Sequence, residues 1–290
     1  MGVPMDREAL DRLYNNRAAV PTHQQDMDRW AAESAVTRQA LSCRLDLAYG
    51  AHPRETLDLF TVPEPGRPLL VFIHGGYWQA LDKSSFSFIA NSFVGPGVSP
   101  LANVAILNYP LAPEADMDRI VASIRRALLW LWREAAPLDF DHNRIFVSGH
   151  SAGGHLTAMA ALTEWEKLDG AAPADLVKGG LSISGLYDLL PIRHCYLNDR
   201  LGMDDVVALR NSPLPLVAGW ARPLPSLICA VGGAETPAFL EQQHDFVTAY
   251  KLRGGKVTAI TAPDRHHFDI VYGMAQPGGD LQTAMAGLLR

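Results

Sequence analysis

The sequence predicts an α/β architecture: an eight-stranded, mostly parallel sheet with helices on both faces and a small cap. Three observations carry this. Short continuous apolar runs recur along the chain, helical patterns fill most of the gaps between them, and 290 residues of ordinary globular composition suffice for one such layered core. The expectation is a single domain spanning residues 1–290, in which 1–40 form a helical N-terminal arm and 190–222 a small cap insertion.

Residues 5–40 are rich in helix formers and broken by Pro21, which gives the arm. From Leu41 the pattern turns to alternation. Leu41, Cys43, Leu45 and Leu47 sit two apart, as do Leu57 and Leu59, and a polar turn at 50–54 joins the two strands. The run 69–73 (LLVFI) is apolar throughout, as suits a strand buried on both faces. Runs at 104–107, 144–148, 181–184, 226–231 and 256–260 repeat the signal and complete eight strands. Helical patterns cover 117–133, 152–168 and 236–252. Between Leu190 and Arg222 the rhythm fails, with Pro191, Pro213, Pro215 and Trp220 replacing clean periodicity, so the cap belongs there.

Composition excludes several classes. Acidic and basic residues are mixed along a chain of formal charge −6, and no basic run forms a phosphate-binding stripe, so nucleic acid is not an expected partner. The N-terminus carries early acids and no apolar leader, and no apolar run reaches membrane-spanning length; a soluble, cytoplasmic protein is expected. Cys43, Cys195 and Cys229 lie far apart and read as reduced thiols, not as metal ligands or a disulfide framework. His150 and His155, five apart, fit no metalloprotease helix, and His194 and Cys195 have no partner pair, so no metal is expected. The sequence leaves the oligomeric state open, a homodimer included.

The chemistry concentrates in three places. Gly149-His150-Ser151-Ala152-Gly153 has the G-x-S-x-G pattern, follows a strand and opens an Ala-rich helix. That is the setting in which a sharp turn lifts a serine above a sheet at a helix N-terminus, so Ser151 is the candidate nucleophile and the α/β-hydrolase fold the candidate architecture. His74-Gly75-Gly76-Tyr77-Trp78 follows the strand at 69–73 directly. A glycine loop there can aim amides at a developing oxyanion, and by register those of Gly76, Tyr77 and Ala152 are the expected donors. His74 ends a buried strand and is expected to brace this loop. Trp78, Trp220 and Phe239 are candidates to line an aromatic substrate pocket.

Together HGGYW, GHSAGGHL and Asn108-Tyr109-Pro110-Leu111-Ala112-Pro113-Glu114 make the sequence resemble the kynurenine formamidase (arylformamidase) branch of α/β hydrolases, related to hormone-sensitive-lipase-type esterases. The likeness includes the Tyr14-Asn15-Asn16-Arg17 arm, the segment 184–189 and the closing His267-Phe268-Asp269. The resemblance implies cofactor-free hydrolysis of an aryl formamide or N-acyl aryl amide resembling N-formylkynurenine, a small aromatic substrate. The alternative is a general carboxylesterase acting on short-acyl aryl esters. A third reading is a hydrolase-fold binding protein that has lost catalysis. The family pattern places the catalytic base immediately before Phe, which selects His267 over His266. Glu235 is the first carboxylate after the strand at 226–231 and completes the chain order Ser, acid, His. Asp188 and Asp245 remain rivals for the acid, and Glu235 could instead serve only as a helix N-terminal charge.

Overall fold

The computed structural model describes residues 6–95 and 101–290. Eight strands form one sheet: β1 (Cys43–Ala48), β2 (Thr56–Phe60), β3 (Leu69–Ile73), β4 (Asn103–Leu107), β5 (Ile145–His150), β6 (Val177–Ile183), β7 (Ser226–Gly232) and β8 (Val257–Ala262). Their order is β1-β2-β4-β3-β5-β6-β7-β8. The β1–β2 and β2–β4 pairs are antiparallel and all others parallel.

Strand alternation divides the core between the two faces. In β3, Leu69, Val71 and Ile73 join the cluster that packs under helices Met117–Arg133 and Ala152–Ala161. Leu70 and Phe72 point the other way, into a cluster containing Trp30 of the arm and Leu281, Met285 and Leu289 of the final helix Asp280–Leu289. All five β3 residues are fully buried, which explains why this strand reads as a continuous apolar run. The arm itself comprises helices Arg7–Tyr14, Asn16–Ala19 and His23–Ala40. Residues 190–222 contain four short helices: Leu190–Arg193, Asn198–Leu201, Asp205–Arg210 and Pro213–Gly219.

Two elements differ from the sequence reading. The helix expected over 152–168 stops at Ala161, and a separate turn of helix occupies Trp165–Leu168. Thr163 Oγ1 donates back to the Met159 carbonyl and accepts from Arg125 Nε, which closes the chain at the break. Strand β6 begins at Val177, four residues before its apolar run. Its Gly179 and Gly180 lie where an added Cβ would stand 2.8 Å from the Ser226 carbonyl oxygen and 2.5 Å from that of Val147. Close approach of neighbouring strands, not turn formation, accounts for this glycine pair.

Because β3, β5, β6, β7 and β8 run parallel, their C-terminal ends share one edge of the sheet. The loops that leave this edge carry His74–Trp78, Ser151, Ser184, Glu235 and His267. Open parallel sheets place their ligand crevices at that edge.

Candidate active site

Ser151 sits between β5 and helix Ala152–Ala161 at φ 57° and ψ −118°. A non-glycine residue at positive φ is strained, and such strain persists only where the surroundings enforce it. Here the Ser151 amide donates to the Ile183 carbonyl at 2.8 Å, and the two motif glycines allow a backbone approach that no side chain would permit. A Cβ on Gly153 would lie 1.9 Å from the Ile73 carbonyl oxygen, and one on Gly149 would lie 2.3 Å from that of Gly153. The glycine loop packs against the same turn: a Cβ on Gly75 would meet Ser151 Cβ at 3.0 Å.

The loop is held from beneath. His74 is fully buried and stacked on Tyr109 with ring centroids 4.4 Å apart; its Nδ1 lies 2.8 Å from the Gly75 carbonyl oxygen and its Nε2 3.1 Å from Asn108 Oδ1. Burial keeps the ring neutral, lowering its pKa to about 4, so only one of these contacts is a donated hydrogen bond. Gly76 (φ 102°), Tyr77 (φ 48°) and Trp78 (φ 58°) then run at positive φ in succession. The amides of Gly76, Tyr77 and Ala152 find no hydrogen-bond acceptor among the described residues.

On the loop after β8, His267 Nδ1 meets Glu235 Oε2 at 2.6 Å, with both side chains buried. The other Glu235 oxygen accepts from Ser184 Oγ at 2.5 Å and from the Gly232 amide at 2.8 Å. The carboxylate is thus fixed on one side and aimed at the imidazole on the other. Asp188 is engaged locally, accepting from the Leu190 amide, and Asp245 is exposed on helix Pro237–Leu252. His266 lies beside Asp26 and Asp269, where its Nδ1 accepts from the Phe268 and Asp269 amides. His150 donates from Nε2 to the His267 carbonyl at 2.8 Å, and burial together with the neighbouring His267 holds its pKa well below the ordinary value.

Ser151 and His267 open into one cavity of about 330 Å³. None of the three aromatics expected to line it does so. Trp78 is fully buried and donates from its indole N–H to His155 Nδ1 at 3.2 Å. Phe239 packs behind the site, its ring centroid 4.7 Å from that of His267. Trp220 belongs to a separate surface depression beside Arg222 and Glu164. The cavity wall instead takes Trp30, Asn16 and Arg17 from the arm, Tyr77 from the glycine loop, and Tyr196 and Arg200 from the 190–222 segment. Tyr77 lies in the glycine motif, and Asn16 and Arg17 lie in the arm that carries part of the resemblance; Trp30, Tyr196 and Arg200 belong to no such motif and reach the wall through packing of segments distant in sequence. Ser184 was given no role, although it lies just past a strand and opens the segment 184–189 that also carries the resemblance.

The sheet order and the strained strand-to-helix serine define an α/β hydrolase, and within that fold a serine hydrolase. The BD-FAE family matches residues 57–197. Kynurenine formamidase of Salmo salar is 34% identical over 78% of this chain and 75% of its own length; that of Danio rerio is 33% identical over 81% and 78%. The crystal structure of a Silicibacter sp. TM1040 protein assigned as a thioesterase superimposes with a TM-score of 0.81 at 31% identity, covering 97% of this chain and 98% of that one. The chain belongs to the kynurenine formamidase family. Among the described residues no helix is long and apolar enough to cross a membrane.

Proposed function

We propose that this enzyme hydrolyses an aryl formamide resembling N-formylkynurenine through a Ser151–His267–Glu235 acyl-enzyme mechanism. The observation that carries the proposal is the 2.6 Å contact between His267 and a carboxylate whose other oxygen is anchored by Ser184 and Gly232. With Nδ1–H held by Glu235, the free Nε2 of His267 is the basic nitrogen, and it takes the Ser151 proton as Oγ attacks the formyl carbon. The negative charge that collects on the carbonyl oxygen is met by the unengaged amides of Gly76, Tyr77 and Ala152. His267 next gives its proton to the departing aryl nitrogen, and the C–N bond breaks. Water, deprotonated by the same imidazole, attacks the formyl ester on Ser151, releasing formate and restoring the serine.

The members of this family named above bear the name kynurenine formamidase, which supports the formamide over a general ester. A side-by-side kcat/KM for N-formylkynurenine and p-nitrophenyl acetate tests the choice. A preference of a hundredfold or so for the formamide is expected, equivalent to about 3 kcal/mol of differential transition-state binding. A preference for the ester would make the protein a carboxylesterase for short-acyl aryl esters.

A further inference from the structure

The active-site cavity has a charge balance opposite to that of the chain. The formal charge of the protein is −6, yet no aspartate or glutamate lines this cavity, while Arg17 and Arg200 both do. They come from different places, Arg17 from the short helix Asn16–Ala19 of the arm and Arg200 from helix Asn198–Leu201. Several other surface arginines are paired with acids, among them Arg12 with Glu8, Arg29 with Glu33 and Arg265 with Asp269, while others, such as Arg38 and Arg253, are bonded to carbonyl or hydroxyl oxygens. Neither cavity arginine has a carboxylate partner among the described residues, which include every aspartate and glutamate of the chain. The acid adjacent to Arg200, Asp199, is turned away and bonded to Arg7 at 2.6 Å. Arg200 itself makes one long contact, 3.4 Å from Nη2 to the Ala112 carbonyl oxygen. Glu235, the carboxylate nearest the chemistry, has its oxygens committed to His267, Ser184 and Gly232.

A guanidinium is a planar fork of N–H donors that fits a carboxylate, and two of them without protein anions leave that fit to a ligand. We propose that Arg17 and Arg200 form a carboxylate-binding mouth to the cavity and are the residues by which the enzyme selects the carboxylate form of its substrate over neutral analogues. The proposal rests on the aryl formamide reading above and sharpens it. The carbonyl carbon of a formamide bears only hydrogen on its acyl side, so the carboxylate must sit on the departing aryl amine. The arginines then hold the anion at the entrance while the formyl carbon reaches Ser151. Both side chains are exposed and therefore screened, which sets the expected effect at about tenfold.

The test compares kcat/KM for N-formylkynurenine and its methyl ester in the wild-type enzyme and in Arg17→Gln/Arg200→Gln. The same two variants are compared for inhibition of p-nitrophenyl acetate turnover by kynurenine and by kynurenine methyl ester. The wild type should favour the acid by about tenfold in both assays, less at high ionic strength, and the double variant should bring both ratios to about one, chiefly through KM and Ki. Equal use of acid and ester by the wild type, or ratios untouched in the variant, would overturn the carboxylate mouth. If neither formamide turns over while kynurenine still inhibits in an arginine-dependent way, the formamide reading fails and the carboxylate mouth stands.

Discussion

His267 and Glu235 form a buried pair in which each atom has one task. Glu235 Oε2 faces the imidazole at 2.6 Å, and Oε1 is occupied by Ser184 Oγ and the Gly232 amide. Replacing Glu235 by glutamine keeps the volume and removes the charge, so His267 loses both its fixed tautomer and the stabilisation of its protonated form. Glu235→Gln is expected to lower kcat by about 10³–10⁴-fold with little change in KM, the range that loss of a triad carboxylate produces elsewhere. Steady-state kinetics beside an unfolding curve checks this. A variant within tenfold of wild type would return the role of acid to Asp188 or Asp245. At this scale the sequence was most informative where residue type and local turn coincide, as at Ser151. It was least informative for Trp78, Trp220 and Phe239, because aromatic character cannot tell a core wall from a cavity wall.

The strand–turn–helix unit of β5, Ser151 and Ala152–Ala161 works because its glycines let backbones touch. Gly153→Ala would push a methyl to 1.9 Å from the Ile73 carbonyl oxygen, a backbone atom of the central strand that has nowhere to move. The expected cost is about 3 kcal/mol or more, a fall in Tm of roughly 5–10 °C, with activity lost as Ser151 shifts. Gly219→Ala, where the added methyl meets nothing within 4 Å, serves as the control and should unfold as the wild type does. Differential scanning calorimetry of both separates a packing requirement from a general dislike of alanine. The same physics explains why β6 was read four residues short. Gly179 and Gly180 look like a turn in one dimension and are close strand contacts in three. The break at Ala161 escaped notice because 152–168 keeps helical composition throughout, and the stop comes from the Thr163 hydroxyl and from Arg125, 38 residues away.

For the molecule as a whole, acid should be a denaturant that acts through buried histidines. His155 is fully buried, accepts from Trp78 at Nδ1 and donates from Nε2 to the Asn211 carbonyl at 2.7 Å, an arrangement only the neutral ring can satisfy. Burial lowers its pKa from 6.5 to about 4. Above pH 6.5 the ring is neutral folded or unfolded and contributes no pH dependence. As pH falls from there toward 4, the unfolded chain takes up a proton that the native state refuses. Stability therefore drops by about 3 kcal/mol from this residue, levelling off below pH 4. His150, whose pKa is also depressed, adds to the loss in the same direction. Urea unfolding at intervals from pH 8 to 4 should show this decline, and His155→Gln should flatten it by about one proton's slope. A wild-type curve independent of pH over this window would refute the account. The overall layering was readable in the sequence because strands buried on both faces leave continuous apolar runs, as in β3. The closing of the arm and the 190–222 segment over Ser151 was not, since it depends on long-range packing such as Trp30 against Phe86 and Phe268.

The central claim, that Ser151 is a nucleophile activated by His267, is tested most directly by intact-mass measurement after treatment with a p-nitrophenyl alkylphosphonate. The wild-type enzyme should gain one phosphonyl group, mapped to Ser151 by peptide sequencing, with release of one equivalent of p-nitrophenol and complete loss of hydrolysis; Ser151→Ala should gain none while unfolding normally. An adduct on another residue, or an unlabelled wild type that still hydrolyses its substrate, would contradict the account.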